Sequence, residues 1–144
     1  MSWHGPYTIR ELLEASVADD RDTPGQGAGI YVVTHRRWSN EPCREAGVLY
    51  VGGNTGKSER FRTRIGDLIA DMFGFFCEAT GHHSGGQSLW GWCRRENVHP
   101  LDLYIGWDVE VACGRCAENS AYDALRPLLN RKRPARCAVH GQPH

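Results

Sequence analysis

The sequence contains no apolar run approaching the roughly eighteen residues that a membrane-spanning helix requires. No membrane partner is expected. Its first residues, MSWHGPYTIRELLEAS, lack a basic stretch followed by an apolar core. No secretory signal is therefore expected, and the expected location is cytoplasmic. Net charge is missing too: 17 lysines and arginines meet 17 aspartates and glutamates, so bulk charge favours no partner. Internal repeats and low-complexity tracts are also absent, which argues against solenoids and disordered chains. What remains is 144 residues, 40% hydrophobic and 24% charged, enough for one ordinary globular domain with its own core.

The local distribution of charge says more than its sum. Residues 1–24 carry two cations against five anions. KSERFRTR, residues 57–64, carries four cations and one anion, and RKRPAR, residues 131–136, carries four cations. Such clusters suit phosphate contacts, although solvated helix faces look the same from charge alone.

Hydrophobic periodicity supplies the elements. PYTIRELLEASVA reads as a first helix from Tyr7 to about Val17. The breaker-rich DDRDTPGQGAG follows as a loop. GIYVVTH and GVLYVGG read as strands. The turn between them, RRWSNEPCREA, is short enough to make them an antiparallel hairpin. In SERFRTRIGDLIADMFGFF, Phe61, Ile65, Leu68, Ile69, Met72 and Phe73 share one face of a helix that Ser58 can cap. EATGHHSGG reads as a loop, QSLWGWCRREN as a short helix, and LDLYIGWDVEVA as a third strand. AENSAYDALRPLLN reads as a helix broken near Pro127, before an irregular tail. The fold class expected is α+β: a small three-stranded antiparallel or mixed sheet flanked by helices. Residues 1–28 form an N-terminal helix and loop, 29–130 the main domain, and 131–144 a basic tail.

Six cysteines without a secretion signal favour metal binding or burial over disulfides. Cys113 and Cys116 stand at C-x-x-C spacing, and Cys137 and His140 repeat that spacing twenty residues on. A two-residue gap lets two side chains of one tight turn reach one ion, and four such ligands suit tetrahedral Zn²⁺. Four protein ligands leave no open position, so the zinc would be structural. His144 is an alternative to His140. Cys43, Cys77 and Cys93 have no matching spacing and are expected as buried thiols.

Two tripeptides mark the hairpin: Gly-Ile-Tyr at 29–31 and Tyr-Val-Gly at 50–52. Either alone is an ordinary strand fragment. Arg64 follows on the next helix in FRTRIGDL, Glu118 opens a later helix, and Asn130 lies twelve residues beyond it. Over residues 29–130 this ordered set resembles the GIY-YIG nuclease family. The resemblance implies a GIY-YIG-like fold and metal-dependent hydrolysis of nucleic-acid phosphodiesters. It matches Tyr31 and Tyr50 to the motif tyrosines and Arg64, rather than Arg62, to the essential arginine. Glu118 then matches the carboxylate that binds Mg²⁺ or Mn²⁺, and Asn130 an asparagine that braces the site.

The chemistry is coherent on its own terms. Phosphodiester hydrolysis needs an activated water and a cation against the charge growing on phosphate. One carboxylate suffices for Mg²⁺, which keeps most of its waters. An arginine fork clamps phosphate oxygens. A tyrosine, with an ordinary pKa of about 10, becomes a base only beside cations. Lys57, Arg60, Arg62, His82 and His83 are further candidates for substrate contact. The expectation is a DNA endonuclease, DNA being favoured over RNA, that nicks one strand per site and needs a homodimer or two encounters for a double-strand break. The competing expectations are a non-catalytic nucleic-acid-binding module of the same fold and a zinc-stabilised protein-interaction domain.

Overall fold

The computed structural model describes residues 2–14, 24–75 and 84–140. Four strands, β1 (His4–Thr8), β2 (Gly29–Thr34), β3 (Val48–Asn54) and β4 (Tyr104–Asp108), form one antiparallel sheet in the order β1-β4-β2-β3. The helices are α1 (Ile9–Glu14), α2 (Phe61–Met72), α3 (Ser84–Glu96) and α4 (Gly114–Leu125). Among the described residues no helix is long and apolar enough to cross a membrane.

The α+β class stands, with four strands in place of three. β2 and β3 pair antiparallel as the hairpin reading expects, Tyr31 opposite Gly52 and Val33 opposite Tyr50. The strand not foreseen is β1. The apolar spacing of Tyr7 to Val17 suggested one helix, but Tyr7 and Thr8 pair with Ile105 and Tyr104 of β4. Proline is tolerated at a sheet edge, and Gly5-Pro6 falls where the β1 register shifts between His4 and Tyr7. Helix α1 then begins under a side-chain cap, the Glu11 N–H donating to Thr8 Oγ1 at 3.0 Å. The part of that expected helix beyond Glu14 lies outside the described residues.

Strand β2 is buried on both faces, which explains its unbroken apolar run. Tyr31 and Val33 face a core shared with Phe61, Leu68, Leu89 and Trp107. Ile30 and Val32 face the opposite way, against Ala117, Ala121 and Leu125 of α4. Thus α2 and α3 cover one side of the sheet and α4 the other. Phe61 is fully buried and packs on Tyr31 with ring centroids 6.1 Å apart. Phe61→Ala is expected to cost about 3–5 kcal/mol, read as a lowered urea midpoint with unchanged slope.

Four boundaries differ from expectation. Helix α4 begins at Gly114 under the Cys113 cap rather than at Ala117, so Glu118 is its fifth residue and does not open it. Ser58 does not cap α2; Arg60 holds the cap position without a side-chain bond, and Ser58 Oγ donates to Asn54 Oδ1 at 3.4 Å. The third strand is shorter than its apolar alternation, because Pro100–Asp102 form a 3-10 turn and Asp108 Oδ1 accepts the Glu110 N–H at 2.7 Å, turning the chain out of the sheet. Ser84-Gly85-Gly86, expected in a loop, is the first turn of α3. A Cβ at Gly85 would strike the Tyr50 ring, and one at Gly86 would come within 2.8 Å of the Leu68 carbonyl oxygen. These glycines therefore set how closely α3 approaches β3 and α2.

Beyond α4, Arg126 takes a left-handed conformation (φ 50°) just before Pro127. The chain then runs along the free edge of β3. Leu128 and Leu129 donate to the carbonyls of Val48 and Leu49 at 3.0 and 2.8 Å. The Asn130 side chain both accepts from the Val51 N–H and donates to its carbonyl, each at 2.9 Å. An otherwise open sheet edge is covered.

Candidate functional site

The β2–β3 register brings the two motif tyrosines together. Because Val33 faces Tyr50 and Tyr31 faces Gly52, the tyrosines are diagonal neighbours on one sheet face, with centroids 6.2 Å apart. Gly52 leaves the room that the Tyr31 ring occupies. On α4, Glu118 reaches toward the same end of the sheet. A Cβ at Gly53 would stand 3.5 Å from Glu118 Oε2 and 2.8 Å from the Gly29 carbonyl oxygen, so the glycine keeps that approach clear. A Cβ at Gly114 would overlap the Asn54 carbonyl oxygen. That close contact seats the start of α4 on the end of β3.

Electrostatics link residues from four elements. Burial pushes the Tyr31 hydroxyl well above its usual pKa of 10.0; Tyr50 and Glu118 add to the rise and Arg64 opposes it. Tyr50 is pushed up to about 12, by burial first and Glu118 second, again against Arg64. Burial raises the Glu118 carboxyl above 4.5, while Arg115 and Arg64 pull it down. Arg115 Nη1 lies 4.0 Å from Glu118 Oε2.

A carboxyl whose folded pKa is raised stabilises the fold below its unfolded pKa and loses that contribution as pH rises through the folded value. Glu118→Gln is therefore expected to melt above wild type at neutral pH in magnesium-free buffer. The gap closes in acid below 4.5, the ordinary carboxyl value. Thermal melts at both pH values check it.

The arginines of α2 separate. Arg62 Nε donates to the Pro24 carbonyl at 2.9 Å and its N–H to Gln26 Oε1 at 2.9 Å, fastening the approach to β2. Arg64 acts on Tyr31, Tyr50 and Glu118. Arg64, Arg60 and Lys57 are all exposed, and neither they nor the buried Tyr31 line the cleft at Glu118. His82 and His83 lie outside the described residues.

That cleft has a volume of about 500 Å³. Tyr50 and Glu118 line it with Ser84 and Ser88 of α3 on one side. Arg115 and residues 130–135 line the rest. Sequence reasoning missed Arg115, although it stands between two paired cysteines and one turn before Glu118. It also missed the buried Asn119. The Asn119 Nδ2 donates to the carbonyls of Arg115 and Ala135 at 2.9 and 3.0 Å. Asn119 Oδ1 accepts from Arg133 Nη1 at 2.6 Å, and Arg133 grips Asp123 with two bonds of 2.7 and 3.1 Å.

The same return of the chain assembles a Cys3His cluster. Ligand atoms of Cys113, Cys116, Cys137 and His140 all lie within 4.8 Å of one another and can hold a metal ion such as zinc. Zinc–sulfur bonds of about 2.3 Å in a tetrahedron put sulfurs roughly 3.8 Å apart, and the Cys113 and Cys137 Sγ atoms are 3.7 Å apart. His140 Nδ1 is 3.4 Å from Cys116 Sγ and 3.0 Å from Cys137 Sγ. The N–H groups of Cys116 and His140 point at Cys113 and Cys137 sulfur, at 3.5 and 3.4 Å. The His140 N–H and ring lower the Cys137 thiol to about 6, whereas burial and the neighbouring thiols push Cys116 up to about 11. Thiolate character is therefore centred on Cys137. Of the cysteines expected to be buried, Cys93 is, with its thiol raised to about 11. Cys43 is only half-buried, at the start of a 3-10 turn on the surface. Cys77 and His144 lie outside the described residues.

Compared with protein-family models, with curated proteins and with solved structures, the chain matches none.

Proposed function

We propose that this protein is a GIY-YIG-type endonuclease that uses a divalent cation to hydrolyse DNA phosphodiesters. The observation that carries the reading is that Tyr31 and Tyr50 are neighbours on one sheet face, with ring centroids 6.2 Å apart, and that Tyr50 shares a cleft with Glu118, while the charge of Arg64 acts on all three. Asn130 supports the reading by bonding both backbone groups of the residue after Tyr50.

Glu118 would hold hydrated Mg²⁺ or Mn²⁺, and the fit is good: its side chain is 18% exposed and open to the cleft, and one carboxylate is enough for an ion that keeps its waters. When bound, that ion supplies positive charge against the phosphate. Arg64 clamps phosphate oxygens through its planar fork. Tyr31, fully buried and held protonated, would serve as a hydroxyl donor toward water or phosphate, as the resemblance implies. In its phenolate form Tyr50 Oη would take the proton of the attacking water as the new P–O bond forms and the P–O bond to the leaving oxygen breaks, that oxygen gaining its proton from solvent water. Neutralising Glu118 removes one of the two causes that raise Tyr50 and leaves Arg64 drawing it down. The rate should therefore climb with pH through and above neutrality. The Cys3His cluster binds structural zinc and fixes the turn from which Glu118 follows.

Each chain has one such group, so one strand is nicked per encounter and a double-strand break takes two copies. Plasmid nicking with Mg²⁺ and with EDTA tests the reading. Absence of product from any DNA or RNA with Mg²⁺ or Mn²⁺ removes it. One observation favours the alternative of a non-catalytic binding module: Tyr50 alone keeps its proton to about pH 12. That module would retain DNA in a salt-sensitive way and yield no cation-dependent product.

A further inference from the structure

The cleft beside Glu118 has a second wall whose charge the reaction does not use. Arg115, Arg131, Lys132 and Arg133 line it, against Glu118 as its carboxylate. Arg133 is occupied by Asp123 and Asn119, and Arg115 is 4.0 Å from Glu118. Arg131 and Lys132 are exposed, and among the described residues no ion pair holds either.

This wall is built rather than trailing. Asn119 bonds the carbonyl of Arg115 and that of Ala135, so one buried side chain ties the C-x-x-C turn to the tail. Arg115 lies between Cys113 and Cys116, while Cys137 and His140 anchor the far end of the tail in the same cluster. Both cationic segments are thus pinned by the two halves of one metal site. A pre-positioned wall loses little freedom when it binds.

We propose that Arg115, Arg131 and Lys132 form a subsite for the phosphodiester backbone beyond the scissile phosphate, presented by the Cys3His cluster. Ser84 and Ser88 offer hydroxyls across the cleft. The subsite rests on the nuclease reading but can fail without it. It gives the cluster a role in holding substrate as well as in holding α4.

The test measures binding in the Glu118→Gln chain, so that cleavage does not intervene. Fluorescence anisotropy is followed across a salt series, with labelled DNA duplex and RNA duplex of the same sequence as separate arms. Each cation that neutralises a duplex phosphate adds about 0.9 to the slope of log K against log salt, roughly eightfold in affinity at about 0.1 M. Arg131→Ala with Lys132→Ala is expected to lower the slope by about two, and Arg115→Ala by about one more. Arg136→Ala, on the same tail but outside the cleft, should leave it unchanged. Zinc content and melting of each variant confirm the fold. An unchanged slope in the double variant, with nucleic acid still bound, overturns the subsite and spares the nuclease reading. An Arg136 effect as large as that of Arg131 or Lys132 also overturns it, since the tail would then act as diffuse charge. No retention of either duplex by any chain overturns both. The arm with the larger loss names the nucleic acid.

Discussion

Stripping zinc from the Cys3His cluster is expected to unfold the region around α4 and lower the melting midpoint of the whole chain. The four ligands join residues more than twenty positions apart: Cys113 caps α4, Cys116 lies in its first turn, and Cys137 and His140 close the tail over it. Without metal, three thiols within 4.8 Å of one another are left with protons to share and no ion to satisfy them. In zinc-finger peptides such a site supplies on the order of 10–16 kcal/mol of apparent binding energy. A whole domain is stable by only about 5–15 kcal/mol. Losing even part of the coordination is therefore large: Cys137→Ser should cost at least about 3 kcal/mol, on the order of 10 °C for a chain of this size. Cys43→Ser, half-buried and outside the cluster, should stay within about 1 kcal/mol. Because the thiols must be deprotonated to bind, zinc affinity also falls as pH drops. Elemental analysis should find about one zinc per chain. A folded, zinc-free protein with a normal midpoint would sink the claim.

What could be read in advance follows from where the information lies. The hairpin and α2 were legible because their cores are built from residues close in sequence: Val33 faces Tyr50, and Phe61 opens α2 soon after β3 ends at Asn54. The Cys3His cluster was legible because chelation by one tight turn demands a fixed spacing. β1 was not, since Gly5-Pro6 argues against a strand and only pairing with distant Trp107 and Ile105 makes it one. The first turn of α3 was hidden for a related reason. Glycines that break an isolated helix are required here by the Tyr50 ring and the Leu68 carbonyl. At the site, Tyr31, Tyr50 and Glu118 were readable as an ordered pattern. Arg115 and Asn119 were not, because their surroundings exist only once residues 130–140 fold back along α4. Nor could the sequence show how Arg62 and Arg64 differ, which depends on tertiary contacts: the Arg62 Nε donates to the Pro24 carbonyl.

Glu118→Ala is expected to abolish nicking while leaving DNA binding intact, a fall of about 10³-fold or more. Charge stabilisation by a bound cation is worth several kcal/mol in the transition state, and each 1.36 kcal/mol or so is tenfold in rate. Binding should hold or tighten, because the substitution removes the carboxylate from a cleft lined by four cations. That split separates a catalytic carboxylate from a purely structural one, whose loss would weaken fold and binding together. Tyr50→Phe tests the base. It keeps the ring that Gly85 accommodates and removes only the oxygen, so a loss of about 10²–10⁴-fold is expected. The rise of rate with pH should flatten in the residual activity, since the hydroxyl whose ionisation drives that rise has gone. A Tyr50→Phe chain nicking at the wild-type rate would eliminate Tyr50 as base. Tyr31→Phe should cost less, because Tyr31 is the more deeply buried of the two and stays protonated. If Tyr31→Phe instead proved the more damaging, the roles would be exchanged. The proton would then leave through the hydroxyl that burial raises most, which only a cation closer to Tyr31 than to Tyr50 would permit.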